Sequence, residues 1–399
     1  MSLFEKPLAS ITEEDLRSLI GEVEDKTIDF KRDRVGATDS DRKEFLYDVS
    51  SFANTGGGDL IFGMAELDGA ASDLVGLAGI SADQEIQRLE QMARDGIRPA
   101  VAGFSVRAVP ISDGRFVLVA RVPKSWTPPH QVTFQKAFRF YARDTNGKYQ
   151  IDVDGLRMAF AASGAIGDQL RSFRADRLAR ILSDQPPAPL QDGAKLVLHV
   201  VPFSAVGSGA TFPLVAAQAE PRLFPTWKDA SSRNSTVTFD GLLGSSNLDP
   251  PPTAQRAYTL VMRSGTVEAV NNFHQREVLP ELQANLVHHA LKFARSLDRL
   301  GAGAPYAILV SLVACRGARL VHDFAPQGAI PEDLPCGTLD LDQYALVESV
   351  WETLPRDGAE AAVAMRTTLD HLANAAGLAE APYFDDTGQC QLNLDRAGI

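Results

Sequence analysis

The sequence predicts an α/β (α+β) protein of two domains. Three observations lead there. Strand-sized apolar runs alternate with stretches of helical spacing from the N-terminus onward. A proline-rich break, Pro186-Pro187-Ala188-Pro189 closing on Gly193, separates two such series. The length, 399 residues, exceeds what one ordinary core holds. The expected division is 1–183 as the first domain, 184–194 as linker and 195–399 as a second α/β domain.

Thr12 with Asp15 forms an acidic variant of a capping box, so a short helix is expected to Ile20. Thr27 to Lys31 alternates and reads as a strand. Asp39 to Phe52 places Phe45, Val49 and Phe52 on one helical face. Leu60 to Met64 reads as a buried strand after a glycine turn. Ser81 caps an amphipathic helix to about Ala93. Val106–Val109 and Phe116–Val122 are strands joined through an Asp113-Gly114 turn, and Ala137–Ala142 is another. Helices are expected over 153–161 and 166–182. In the second domain, strands are expected at 195–201, 258–263, 266–270 and 306–315. Long helices are expected at 279–300 and 358–376, with a surface loop at 247–253.

Net charge is −12, which excludes a general basic coat for nucleic acid. The distribution is uneven. Residues 1–100 hold 11 basic and 21 acidic side chains, residues 101–185 hold 13 and 7, and the remainder hold 15 and 23. A basic stretch inside an acidic chain points to a local footprint. Cys315, Cys336 and Cys390 are too few and too scattered for a disulfide framework or a zinc site. No apolar run reaches membrane-spanning length and the N-terminus lacks a signal pattern, so a cytoplasmic protein with no membrane partner is expected.

The chemistry concentrates between Glu22 and Asp68. Asp29 and Lys31 share one face of a strand, Glu24 lies just upstream, and Glu66 follows the next strand. Gathered at one rim, Glu24, Asp29 and Glu66 could hold a divalent cation through oxygen ligands, with Lys31 neutralising a phosphate oxygen. Asn54, Gly57 and Gly58 belong to a turn that lets a partner approach the backbone. Taken alone, Asp29 and Lys31 also read as an ordinary solvated pair. No Gly-x-x-x-x-Gly-Lys-Ser/Thr exists, which excludes a P-loop. Arg139, Tyr141 and Arg143 alternate on one strand, with Lys148 beyond an Asn146-Gly147 turn. With Arg32 they form a candidate surface for phosphates and a stacked base. Arg171, Arg174, Arg177 and Arg180 form a helical stripe that reads equally as basic footprint or solvated face. His130, His288 and His289 read as structural.

Glu24-x4-Asp29-Phe30-Lys31, then Ser51-Phe52-Ala53-Asn54-Thr55-Gly56-Gly57-Gly58, then Leu60 to Glu66, resembles the AlbA-type domain of the Schlafen family over roughly residues 12–165. Phe140 to Arg143 resembles that family's aromatic-x-Arg strand. The resemblance implies a compact nucleic-acid-binding domain. It also implies a Mg²⁺- or Mn²⁺-dependent centre cutting structured RNA such as tRNA, RNA being favoured over DNA, in prokaryotic defence or stress response. By position its carboxylates are Glu24, Asp29 and Glu66. Asp29 stands where the family has Glu, Glu66 where it has Asp, and Ala65 where an acidic neighbour is usual. The alternative is a non-catalytic DNA- or RNA-binding regulator or interaction module. A homodimer docked through the helix at 279–300 is a further expectation.

Overall fold

The computed structural model describes residues 3, 6–112, 114–145, 147–183, 185–206, 211–227, 234–246, 253–273, 276–322, 335–385 and 388–391. Asp113, Asn146 and most of the 247–253 loop, each assigned a turn or loop above, lie outside them. The chain forms two compact units, Met1–Ile166 and Gly167–Ile399.

In the first unit, α1 (Glu13–Arg17) begins at Thr12, whose hydroxyl accepts the Asp15 N–H while the Asp15 carboxylate accepts the Thr12 N–H. Next come β1 (Ile28–Lys31), α2 (Asp39–Ala53) and β2 (Gly57–Phe62). α2 starts on a second capping box, Thr38 with Asp41. It carries the chain across so that β1 and β2 pair in parallel, Asp29 opposite Leu60. β3 (Met64–Leu67) and β4 (Ala70–Leu74) form a hairpin, followed by α3 (Ala82–Gly96) and β5 (Ile97–Arg98). β6 (Ser105–Pro110) and β7 (Phe116–Pro123) complete a sheet of order β1-β2-β7-β6. β8 (Gln131–Val132), β9 (Arg139–Asp144) and β10 (Gly147–Gln150) join β5 in a second sheet, β10-β9-β8-β5.

The strand alternation sets the packing. Leu60, Phe62, Leu118 and Ala120 meet Phe45, Val49 and Phe52 of α2 and Leu89 of α3 on one face. Ile61, Val117 and Val119 meet Leu16 and Phe30 on the other. The expected strand at 60–64 is two strands, because Gly63 takes φ +99° and turns β3 away to pair with β4.

The expected helices at 153–161 and 166–182 are one helix, α4 (Val153–Leu182). Gly164 and Gly167 are absorbed, since glycine inside a helix costs only about 1 kcal/mol relative to alanine. The second unit begins within α4.

That unit is built on a long antiparallel sheet of β11 (Ala194–Pro202), β12 (Asn234–Val237), β13 (Gly241–Ser245), β14 (Ala257–Met262), β15 (Val267–Phe273), β17 (Tyr306–Val313), β20 (Gln343–Ala345) and β21 (Ser349–Trp351). Its order is β12-β13-β14-β15-β11-β17-β20, with β21 also on β17. β16 (Arg276–Val278), β18 (Arg319–Val321) and β19 (Cys336–Thr338) make a small separate sheet, and α5 (Leu214–Ala219) lies near one edge. α6 (Leu279–Arg299) buries Leu282, Leu286, Phe293 and Leu297 against Leu196, Leu198, Ile308 and Val310. The apolar face expected to dock a partner is therefore core. α7 (Gly358–Ala364) and α8 (Arg366–Ala375) replace the single helix expected at 358–376, with Met365 the break. Leu178 and Ile181 of α4 cover the opposite sheet face at Val197, Tyr258 and Val270. Residues 185–194 lie along this unit: Gln191 donates to the Gln255 carbonyl and Ala188 is fully buried. Among the described residues no helix is long and apolar enough to cross a membrane.

Candidate nucleic-acid interface and carboxylate cluster

Asp29 is the centre of the site. β1 forms one edge of the first sheet and presents Asp29 toward β9, where it is buried beside two cations. Lys31 donates to its Oδ1, and Arg143 Nη1 of β9 donates to its Oδ2 at 2.8 Å. Arg143 also lies over the Phe52 ring, 4.3 Å from its centroid, and 3.9 Å from Asp48 of α2. Asp48 is buried and accepts from Lys148 Nζ at 2.7 Å, while Lys148 also pairs with Glu44. A chain of alternating charge thus runs from β1 through β9 to α2 and β10.

Glu24 is placed by backbone. Its N–H donates to the Gly69 carbonyl at 2.7 Å beside the β3–β4 hairpin. Its Oε1 accepts the Phe30 N–H at 2.6 Å. Its carboxyl is hydrogen-bonded to Asp29 and reaches Glu66. Burial, then the adjacent Asp29 carboxylate and the contact with Glu66, push Glu24 up to about 8 against the pull of the Phe30 N–H. Burial also raises Asp29, but Lys31, the Glu24 hydrogen bond and Arg143 outweigh it, and Asp29 lies below the ordinary carboxylate range. Glu24 therefore carries the proton and Asp29 the charge. Burial opposes the charge on Lys31, yet Asp29, Asp48 and Glu24 hold its ammonium above the ordinary value. Glu66 itself is exposed.

The oxygen donors suit a hard divalent cation in kind. Their arrangement does not. Asp29 has one oxygen on Lys31 and the other on Arg143. Among the described residues no group of three or more His, Cys, Asp and Glu side chains is placed to hold a metal ion.

Asn54 ties the glycine turn to the second sheet. Its amide donates to the His130 and Tyr141 carbonyls at 3.0 and 2.9 Å, and its Oδ1 accepts the His130 N–H at 2.6 Å. Thr55 Oγ1 accepts the Arg143 N–H at 2.9 Å. Gly57 takes φ +77°. At Gly58 a Cβ would sit 2.3 Å from Phe52 and 2.6 Å from the Thr27 carbonyl, so the turn is tight internally. His130 is buried between the Pro99 carbonyl and Ser125 Oγ, a structural place.

The basic candidates separate. Arg143 and Lys148 are internal ion-pair partners, whereas Arg139 and Arg32 are exposed. The alternation that puts Arg139, Tyr141 and Arg143 on one face holds, but α2 covers the Arg143 end and leaves the Arg139 end open. There the Tyr141 and Tyr47 rings lie 4.3 Å apart, and Arg139 donates to Gln150 Oε1 at 3.3 Å. Hydrogen bonding to Tyr141 raises Arg139 further. Just before it, Lys136 and Phe138 are exposed, Phe138 at 59%. Gln135, Lys136 and Phe138 all take positive φ. Sequence reasoning passed over Phe138, Tyr47 and Asp48. Asp48 had a signal, an acid on the apolar face set by Phe45 and Phe52. The stripe from Arg171 to Arg180 divides: Arg174 and Arg177 bind within the second unit, to the Leu346 carbonyl and Glu268, while Arg180 is exposed.

A small α/β domain with a buried carboxylate–arginine cluster and an open aromatic–basic end is the class that these elements define. Residues 24–152 match the family model described as Schlafen, AlbA_2, so the N-terminal part of the chain is a Schlafen AlbA_2 domain. Parts of the chain are similar to two solved structures. One is the DIP2311 protein of Corynebacterium diphtheriae, with 21% identity over 32% of this chain and a TM-score of 0.24. The match spans 25% of that protein's length. The other is the N-terminal domain of a RecG-related protein of Nitrosomonas europaea, with 25% identity over 28% of this chain and 69% of that one, and a TM-score of 0.21. No curated protein matches the chain.

Proposed function

We propose that the first unit binds nucleic acid through the open end of β9. The carrying observation is the exposed Arg139 guanidinium beside the Tyr47–Tyr141 ring pair, with Lys136 and Phe138 displayed next to it. An arginine meets phosphate, and an exposed ring stacks on an unpaired base. Three left-handed residues in four are costly for non-glycine side chains, and such backbone is concentrated at working surfaces. The AlbA_2 match supports the same reading. RNA is the favoured partner, since stacking needs splayed bases. Fluorescence anisotropy with single-stranded RNA and duplex DNA tests this. Arg139→Ala and Phe138→Ala are each expected to weaken RNA binding about tenfold, in a salt-dependent way. Binding that neither substitution alters removes the interface from this end.

Cleavage of structured RNA such as tRNA is a second reading, favoured by the contact of Glu24 with Asp29 and Glu66. A carboxyl protonated near neutral pH can give a proton to a leaving oxygen while an ionised neighbour accepts one. Mg²⁺ or Mn²⁺ would have to displace Lys31 or Arg143 from Asp29, so no step is assigned to a cation here. Incubation of tRNA with wild type and Glu24→Gln, with Mn²⁺ and with chelator, separates the outcomes. Loss with chelator assigns cleavage to a cation. Survival in chelator with loss in Glu24→Gln assigns it to the side chains. No cleavage by wild type in either condition overturns this reading and leaves the binding result intact.

A further inference from the structure

The first two-thirds of α4 carries an exposed apolar strip bounded by charge. Met158 is 72% exposed, and Ala161 and Ala165 follow it on the same face at spacings of three and four. At one end Asp154 pairs with Arg157 at 3.0 Å, and at the other Asp168 pairs with Arg171 at 2.6 Å. All four of these charged side chains are exposed. An exposed methionine on a strip otherwise built of alanine is unusual for a solvated helix.

The order of these charges identifies the partner. Within α4, Asp-x-x-Arg occurs twice, at Asp154–Arg157 and Asp168–Arg171, with the midpoint between Ala162 and Ser163. When two copies of α4 lie antiparallel about that point, Asp154 of one faces Arg171 of the other, and Arg157 faces Asp168. Both ends are satisfied at once by a single two-fold axis, which is the isologous contact of a symmetric dimer. A parallel arrangement in register would set like charge on like. The alanines between the charged ends allow the two helix backbones to approach closely. A surface exposed ion pair contributes little alone, but four charges gathered at each end form a network.

We propose that this face of α4 is the contact between two copies of the chain. It stands independently of the nucleic-acid reading. The mass of the full chain in solution across a concentration series tests it. Wild type is expected to shift from one copy to two. Met158→Glu is expected to weaken that association about tenfold or more. Asp168→Arg sets like charges together and is expected to weaken it likewise. Adding Arg157→Asp to that variant places two acids opposite two arginines and is expected to restore the dimer, which a folding defect would not allow. A wild type that stays single throughout, an unaffected Met158→Glu, or a double variant that does not recover overturns the proposal.

Discussion

Glu24 keeps its proton into the neutral range because burial disfavours its charge and because Asp29, held ionised by Lys31 and Arg143, lies against it. That has a measurable consequence. The ordinary value is 4.5 and the folded value about 8. Between them the folded chain holds a proton that the unfolded chain has released, so stability falls as pH rises through this window. Asp48, raised to about 6 chiefly by burial, works in the same direction over its lower part. His130, lowered by burial, works the opposite way below its ordinary 6.5. Comparing Glu24→Gln with wild type isolates the Glu24 contribution. Urea unfolding is expected to show wild type losing stability between pH 6.5 and pH 8 relative to the variant. Parallel curves would place the proton elsewhere. Asn54 offers a second residue-scale prediction. Its three hydrogen bonds join the glycine turn to His130, just before β8, and to Tyr141 of β9, and Asn54→Ala leaves three backbone groups without this partner. A loss of about 2–4 kcal/mol in chemical unfolding is expected, and a loss below about 1 kcal/mol would mean water replaces the amide. At this scale Glu24, Asp29 and Glu66 could be picked out from sequence, Asp48 was missed, and the bases were only half legible. Arg139 and Arg143 share a strand parity, but which of them faces solvent depends on where α2 lies, and periodicity does not contain that.

Elements were legible where a local signal fixed them and illegible where one residue altered a continuous pattern. The capping residues Thr12 and Ser81 start α1 and α3 as the sequence predicts, while α2, expected from its apolar spacing alone, starts on a capping box at Thr38. The strand through Leu60 divides at Gly63 because backbone there, not hydrophobicity, decides the direction. α4 runs on through glycines because packing at Leu170 and Leu178 outweighs weak propensity. The run Gly56-Gly57-Gly58 makes the same distinction testable within one turn. A Cβ at Gly56 meets nothing within 4 Å, and this residue lacks the positive φ found at Gly57. At Gly58 the Thr27 carbonyl and the Phe52 ring stand in the way, and the carbonyl belongs to the chain entering β1. Gly56→Ala is therefore expected to be within about 0.5 kcal/mol of wild type, and Gly58→Ala to cost about 2–3 kcal/mol. Equal effects in thermal melts would show that the turn relaxes as a whole.

At the scale of the molecule, the second unit depends on a polar group that composition hides. Glu268 of β15 is fully buried and accepts from Arg177 at 2.8 and 2.7 Å, from Tyr258 at 2.9 Å, and lies 2.9 Å from His199 Nε2. Burial alone would raise Glu268, but the Arg177 and His199 hydrogen bonds bring it down to about 2. Arg177 comes from α4, so this cluster fixes the last turns of that helix to the sheet between Leu178 and Tyr258. Sequence periodicity showed Arg177 only as one member of a basic stripe, because its partner lies 91 residues away. Glu268→Gln keeps the shape and removes the charge, leaving a buried guanidinium without its counter-ion. A loss of about 3–5 kcal/mol is expected. In the wild type the same carboxylate supplies stability above its ordinary 4.5 that disappears as pH falls toward about 2. Trp227 and Trp351 are buried in this unit. With Trp126→Phe as background they report its unfolding by fluorescence alone. Glu268→Gln is expected to lower that transition at pH 7 and to flatten its acid dependence below pH 4.5. A variant matching wild type at both pH values would mean that Arg177 finds water, and that apolar packing at Leu178 and Ile181 alone holds α4 to the sheet.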